Sequence, residues 1–322
     1  MSYYLLQKIK GQTLVPVISQ RVMRNMTSTS VFIRCKDVQR ELVNMCIYDG
    51  FISYTDIIQF VNPYEYVFSP SPQTKLPICT LKCKTNLYYE LLEVFDLVDI
   101  KQTHKYSLLQ TTNVDDVKRC LTNKIVHTKV EPNTKYGFVF QDINHHANLD
   151  AYVTEIVNVL MVLLKSQDDN GVAIIKVNYL FHRPILDVVY ILSSMYEKVY
   201  IVKPNTSNAM SQEKYIVCLN KIPNQELYDT NYDVLSSKSN KRLYSLVDHN
   251  LPISFINKIN DINVILGERQ LEYLDKALTI MSSTNKYDVV NDTITKNIQK
   301  SVSLCEKLGL PFVKTNIFLH KH

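Results

Sequence analysis

The stretch GVAIIKVNYLFHRPILDVVYILSSMYEKVYIVKPNTSNAMSQEKYIVCL, residues 171–219, decides the fold of this 322-residue chain. It opens on a short apolar run, Gly171 to Val177, which reads as a buried strand. Arg183 to Tyr196 carries apolar residues at helical spacing, and Lys198 to Val202 and Glu213 to Leu219 are two more runs rich in β-branched and aromatic residues. Just upstream, YGFVFQD (Tyr136 to Asp142) reads as a strand ending in a carboxylate, and Asp150 to Leu164 as a long apolar helix. Strands alternating with helices of this length predict an α/β fold, a mostly parallel sheet with helices on both faces. The final pair, KVYIV and EKYIVCL, is joined by a loop and is expected to form an antiparallel hairpin at one edge.

Outward from this block the signals weaken. VFIRC (Val31 to Cys35) reads as a strand, and FSPSPQTKLP (Phe68 to Pro77) as a loop or linker. Thr85 precedes a helix with Leu87, Leu91, Leu92, Phe95 and Val98 on one face and Glu90 and Glu93 on the polar side. Leu227 to Asn250 is polar and reads as irregular. Asp261 to Met281 and Asp292 to Leu308 read as helices, the second stopped by Gly309 and Pro311. The expected organisation is an N-terminal extension over 1–80, a sheet domain over 81–225 and a C-terminal helical extension over 226–322 packed on it.

Composition excludes several classes. Hydrophobic residues make up 46% and charged residues 21%, which rules out a disordered chain. Only six glycines occur, where average usage gives about 22. None lies between Gly50 and Gly137, and neither G-x-G-x-x-G nor G-x-x-x-x-G-K-[ST] can be written. A net charge of +5 permits an anionic partner without demanding one. Seven cysteines without a C-x-x-C point to buried free thiols in a reducing compartment. His145 and His146 lack a spaced carboxylate or cysteine partner, so no metal site is expected. The N-terminus shows no signal-peptide pattern and no apolar run could span a bilayer, so a cytosolic protein without membrane contact is expected.

Asp142, Lys176 and Glu213 stand at strand ends. In open parallel sheets ligands sit outside the carboxyl ends of the strands. A lysine inside AIIKV must be paired, solvated or functional. Plain solvation of strand-end charges is the alternative for each of them singly.

The order of these elements resembles the second half of FtsJ-like (RrmJ-type) RNA 2′-O-methyltransferases, especially viral cap methyltransferases. The shared pattern is a strand with a lysine (Lys176), a helix (183–196), a strand ending in Lys203-Pro204, a Ser/Asn-rich loop (206–211), and Glu213 with Tyr215 to Val217. The resemblance implies a Rossmann-like methyltransferase fold and a Lys-Asp-Lys-Glu tetrad, in which the second lysine deprotonates a ribose 2′-hydroxyl. Asp142, Lys176 and Glu213 take three of its positions. Glu90, within CKTNLYYELLEVFDLV (83–98), stands where the family has its first lysine; Lys82 or Lys84 could compensate. Where the family has a glycine-rich turn for the methyl donor, this chain has Gln102 to Asn113 with no glycine. Arg183, Lys198, Lys203 and Lys214 could line an RNA-binding rim, a solvated polar rim being the alternative.

The resemblance therefore implies a catalytically degenerate accessory subunit of a viral mRNA capping or RNA-processing complex, of the kind seen in the stimulatory subunit of poxvirus capping enzymes. It would bind no cofactor and would work beside a larger capping-enzyme or methyltransferase subunit, with capped RNA as a further partner. The host cytoplasm is the expected location, with packaging in the virion left open. The alternatives are an active cap 2′-O-methyltransferase using S-adenosylmethionine, and a structural virion protein.

Overall fold

The computed structural model describes residues 2–73, 75–98, 100, 105–121, 125–143, 148–238 and 241–313. In chain order the elements are β1 (Ser2–Leu5), β2 (Val17–Ile18), α1 (Ser30–Asp49), α2 (Tyr54–Val61), a 3-10 turn (Glu65–Val67), α3 (Leu87–Val98), β3 (Tyr106–Gln110), α4 (Val114–Cys120), β4 (Ile125–His127) and β5 (Tyr136–Asp142). They continue as α5 (Leu149–Ser166), β6 (Gln167–Val177), α6 (Arg183–Met195), β7 (Tyr196–Lys203), β8 (Lys214–Lys221), α7 (Gln225–Ser236), β9 (Leu243–Ser245), α8 (Ile253–Ser282) and α9 (Lys286–Lys307). The chain divides into two compact units. The first comprises Met1–Thr29, Asp99–Lys203 and Glu213–Ile265, the second Ser30–Val98, Pro204–Gln212 and Leu266–His322.

The first unit holds a seven-stranded sheet in the order β1-β7-β8-β6-β5-β3-β4. β4, β3, β5 and β6 pair in parallel. β8 is antiparallel to both β6 and β7, so β7 shares the direction of the parallel set. This is the mostly parallel sheet expected from the alternating pattern, and the architecture is the Rossmann-like methyltransferase fold. The connections β5-α5-β6 and β6-α6-β7 progress one way across the sheet, whereas β3-α4-β4 progresses the other way. Because such crossovers are right-handed, α4 lies on the face opposite α5 and α6. The direction reverses between β3 and β5, which makes their carboxyl ends the crevice of the sheet.

The core strands are buried on both faces. Phe138, Val139 and Phe140 of β5 and Ala173 and Ile174 of β6 are at most 1% exposed. β6 extends four residues further back than GVAIIKV, directly out of α5. The extension shifts its register against β5 between Tyr136 and Phe138. Asn170 takes a φ of 57° at the irregularity. A Cβ at Gly171 would lie 2.8 Å from the carbonyl oxygen of Asp168, so this bulge needs glycine.

Three expectations require correction. The β7-β8 pair is antiparallel as expected, but it does not close the sheet. β1 adds outside β7, pairing Ser2 with Lys203 and Leu5 with Tyr200. VFIRC is the start of α1, not a strand. Cys35, Leu42 and Cys46 form its buried stripe, and Gly267 lets the helix close in so tightly that a Cβ there would lie 2.8 Å from Val31. Packing overrides the local β-preference of Val31 and Ile33. The polar stretch 227–250 contains α7 and β9. Tyr228, Asn231 and Leu235 bury one face of α7, and the Asn231 side chain bonds Leu14 N–H and Gln12 C=O.

The second unit is helical, with a core built around Leu42, Ile57, Tyr66, Tyr89, Ile294 and Cys305. α8 and α9 start earlier than the sequence periodicity indicated. Six of the seven cysteines are buried, Cys83 is half-buried, and all are free thiols.

Candidate functional site

The register of the sheet brings Asp142, Lys176 and Glu213 together at the carboxyl edge of the first unit. Asp142 and Lys176 are cross-strand partners on β5 and β6. Lys176 is in turn the partner of Tyr215 on β8, two residues beyond Glu213. The Lys176 ammonium lies 3.4 Å from the Glu213 carboxylate and 5.8 Å from the centre of the Tyr215 ring. Burial pushes the Asp142 carboxyl above its ordinary value, opposed by the Lys176 charge and by a hydrogen bond from Thr111, with Glu213 adding to the rise. The lysine thus stands between two acids at the ends of adjacent strands, an arrangement that can orient a polar ligand and bind its hydroxyls.

Thr111 is the residue that sequence reasoning missed. It follows β3 directly, and its hydroxyl donates to Asp142 Oδ2 at 3.2 Å. The Thr111 hydroxyl oxygen in turn accepts from the Asn113 amide at 3.2 Å, which closes the turn into α4. A hydroxyl immediately after a buried strand, at the reversal point of the sheet, was the available signal. Beside it, the Gln110 and Gln141 side chains are hydrogen-bonded to each other across the strand ends. Gln110, Thr111, Thr112, Asp142, Glu155 and Asn158 line a cleft of about 400 Å³.

The methyl donor that this fold implies would need a glycine-type cradle at that cleft. A glycine-type cradle presents bare amides to the ligand. Here the Asn113 amide is taken by Thr111, and the Gln110 side chain is bonded to that of Gln141. No residue from Thr111 to Asn113 adopts a positive φ. The described residues from Thr111 to Asn113 do not fit such a cradle. Within the stretch expected to hold it, Gln102 to His104 lie outside the described residues, as do His145 and His146.

The fourth tetrad position, Glu90, lies on α3 in the second unit. It is fully buried and accepts a hydrogen bond from Asn86 Nδ2 at 2.7 Å. Three residues on, Glu93 accepts from the amides of Asn205 and Thr206 at 3.1 and 2.8 Å and from the Thr206 hydroxyl at 2.8 Å. It pins the start of the loop after β7, another role not foreseen.

The four cations considered for an RNA rim do not gather on one surface. Arg183, at the start of α6, is 7% exposed and pairs with Asp187 at 2.7 Å. Its guanidinium also donates to the His249 carbonyl at 2.6 Å. Lys214 is 2% exposed and donates to the Asn178 carbonyl at 2.5 Å. Burial, then repulsion from Lys203, lowers its pKa to about 7 against the pull of Glu213. Lys203 is half-buried at the carboxyl end of β7, and Lys198 is exposed toward the opposite end of the same strand.

Comparison with known proteins bears on this arrangement. Over 209 residues the chain is 24% identical to "Uncharacterized protein R383" of Acanthamoeba polyphaga mimivirus. The alignment covers 61% of this chain and 56% of that protein, so the chain spans little more than half the length of its relative. Residues 92–221 match the profile of the FtsJ-like methyltransferase family, from α3 to the end of β8. The reversal of strand order, the acid-lysine-acid edge and this match together identify residues 92–221 as an FtsJ-like methyltransferase domain.

Proposed function

We propose that this protein is a catalytically degenerate methyltransferase fold that acts as an accessory subunit of a viral mRNA capping or RNA-processing complex, beside a larger methyltransferase subunit. One observation carries the reading. At the crevice of the sheet, the turn after β3 is closed by the Thr111 side chain onto Asp142 and onto its own backbone, with no glycine to receive a methyl donor. The identity to a mimivirus protein supports the viral setting. In this reading Asp142, Lys176 and Glu213 hold the strand ends together. Isothermal titration of S-adenosylmethionine into the protein tests it. No heat of binding is expected, and micromolar binding would overturn it.

A second reading keeps the domain active as a cap 2′-O-methyltransferase. The meeting of Asp142, Lys176 and Glu213 beside a 400 Å³ cleft favours it. It requires methyl transfer to capped RNA that Lys176→Ala abolishes.

A further inference from the structure

Three thiols converge in the helical second unit. Cys79 sits in the loop between the 3-10 turn and α3, Cys83 follows four residues on, and Cys305 lies in the last turn of α9. The backbone fixes this meeting. Cys79 bridges to Phe312 in antiparallel register, the Thr80 amide donates to the Pro311 carbonyl at 2.9 Å, and the Val313 amide donates to the Ile78 carbonyl at 3.0 Å. The Leu310 amide donates to the Cys305 carbonyl at 2.9 Å, which turns the end of α9 back toward the same loop. On its other side the Cys79 amide is held by the Val67 carbonyl at 3.1 Å.

The Cys305 thiol donates a hydrogen bond to the Cys79 sulfur. The buried Tyr89 hydroxyl reaches the sulfurs of Cys79 and Cys83 and donates to the Leu81 carbonyl at 3.3 Å. The bond from Cys305 brings the Cys79 thiol down to about 6 against the effect of burial, and the same bond raises Cys305. A thiolate in contact with a second sulfur is the arrangement from which disulfides form. Metal binding is the other use of clustered thiols, but among the described residues no group of three or more His, Cys, Asp or Glu side chains is placed to hold a metal ion. Cys79 and Cys305 are buried, yet their cover is thin. Thr80 and Lys82 are exposed, Cys83 is half-buried, and residues 80–86 form neither helix nor strand. Local opening of such a loop admits a small oxidant.

We propose that Cys79 and Cys305 are a redox site, converted by a peroxide-class oxidant to a disulfide that fastens the end of α9 to the loop before α3. The Cys79 thiolate attacks one oxygen of the peroxide. The O–O bond breaks, and the leaving hydroxide takes up the proton that Cys79 released, giving water and a Cys79 sulfenic acid. The Cys305 sulfur then attacks the Cys79 sulfur. The S–O bond breaks, and the hydroxide leaves with the Cys305 proton as a second water. The two sulfurs lose one electron each, and the peroxide gains both. The site belongs to the second unit and does not depend on whether methyl transfer survives in the first.

Hydrogen peroxide added to the reduced full chain, followed by alkylation of the remaining thiols in denaturant and peptide mass spectrometry, tests it. A peptide linking Cys79 to Cys305 is expected, and dithiothreitol should separate it again. Cys218, fully buried in the first unit, should still be alkylated. Cys305→Ala should abolish the link and leave Cys79 as a sulfenic acid that dimedone traps. Cys79→Ala should leave Cys305 as a free thiol. The oxidised protein should unfold a few degrees above the reduced one, because the bond closes a long loop of chain, and both variants should lose that rise. Circular dichroism checks the fold, and Cys79→Ser and Cys305→Ser replace any alanine variant that misfolds. Full alkylation of both cysteines after peroxide, a link from either one to a different cysteine, a link that forms only in denaturant, or an oxidised protein no more stable than the reduced one would each overturn it.

Discussion

On one side of the crevice the sheet runs through β5, β6, β8 and β7, with 7, 11, 8 and 8 residues. On the other it runs through β3 and β4, with 5 and 3, joined by a helix of 7. The long side places its polar residues by backbone ladders. Asp142 has Lys176 opposite it, and Lys176 has Tyr215. The short side contributes to the crevice through side chains, Thr111 on Asp142 and Gln110 on Gln141. The two sides of the crevice are therefore positioned by different interactions, backbone ladders on the long side and side-chain contacts on the short one.

Removing core volume from each half should separate them most widely. Phe140→Ala in β5 should cost about 3–5 kcal/mol by urea denaturation, since its ring is fully buried among paired strands. Ile125→Ala in β4, 38% exposed, should cost less than about 1 kcal/mol. Similar losses at both positions would mean that the short half is as tightly integrated as the long one.

A second test uses pH. Lys214 has a folded pKa of about 7, below its ordinary value. A lowered lysine contributes stability that is complete above the unfolded value and is lost as pH falls toward the folded one. The wild type should therefore gain a few kcal/mol between pH 7 and pH 10 relative to Lys214→Met. Equal pH profiles for the two proteins would show that the long side does not hold this amine desolvated.

The smallest effect is expected at the junction. Thr111→Val removes the hydroxyl that holds the Asp142 carboxyl down, so its pKa should rise further in a carbon-detected NMR titration. Stability should fall by only about 1 kcal/mol. An unmoved Asp142 would mean that the threonine does not couple the two halves.

The long half was legible in sequence for a physical reason. Strands buried on both faces are continuous apolar runs, and GVAIIKV and YGFVFQD are unmistakable as such. Asp142, Lys176 and Glu213 were legible because a charge ending such a run needs a partner. α1 was not, because Val31 and Ile33 favour strands locally, and the helix is favoured by packing of Cys35, Leu42 and Cys46 and the close approach at Gly267. α7 was hidden because its buried face includes Asn231, whose amide satisfies the backbone of a segment more than 200 residues earlier. The burial of Arg183 and Lys214 was equally invisible, since a cation at a strand or helix end reads as solvated until its carbonyl partners are placed.

The outermost pairing, Ser2 to Leu5 against Tyr200 to Lys203, has a consequence for synthesis. A ribosome adding roughly 5–20 residues per second releases the first of these strands well before the second. The β1 segment, with the exposed side chains Tyr3 and Leu5, must wait some tens of seconds for its partner. The earlier strand of the pair is thus sheltered only after the later one is made, and during that interval its backbone is open to any other strand or chaperone that reaches it first.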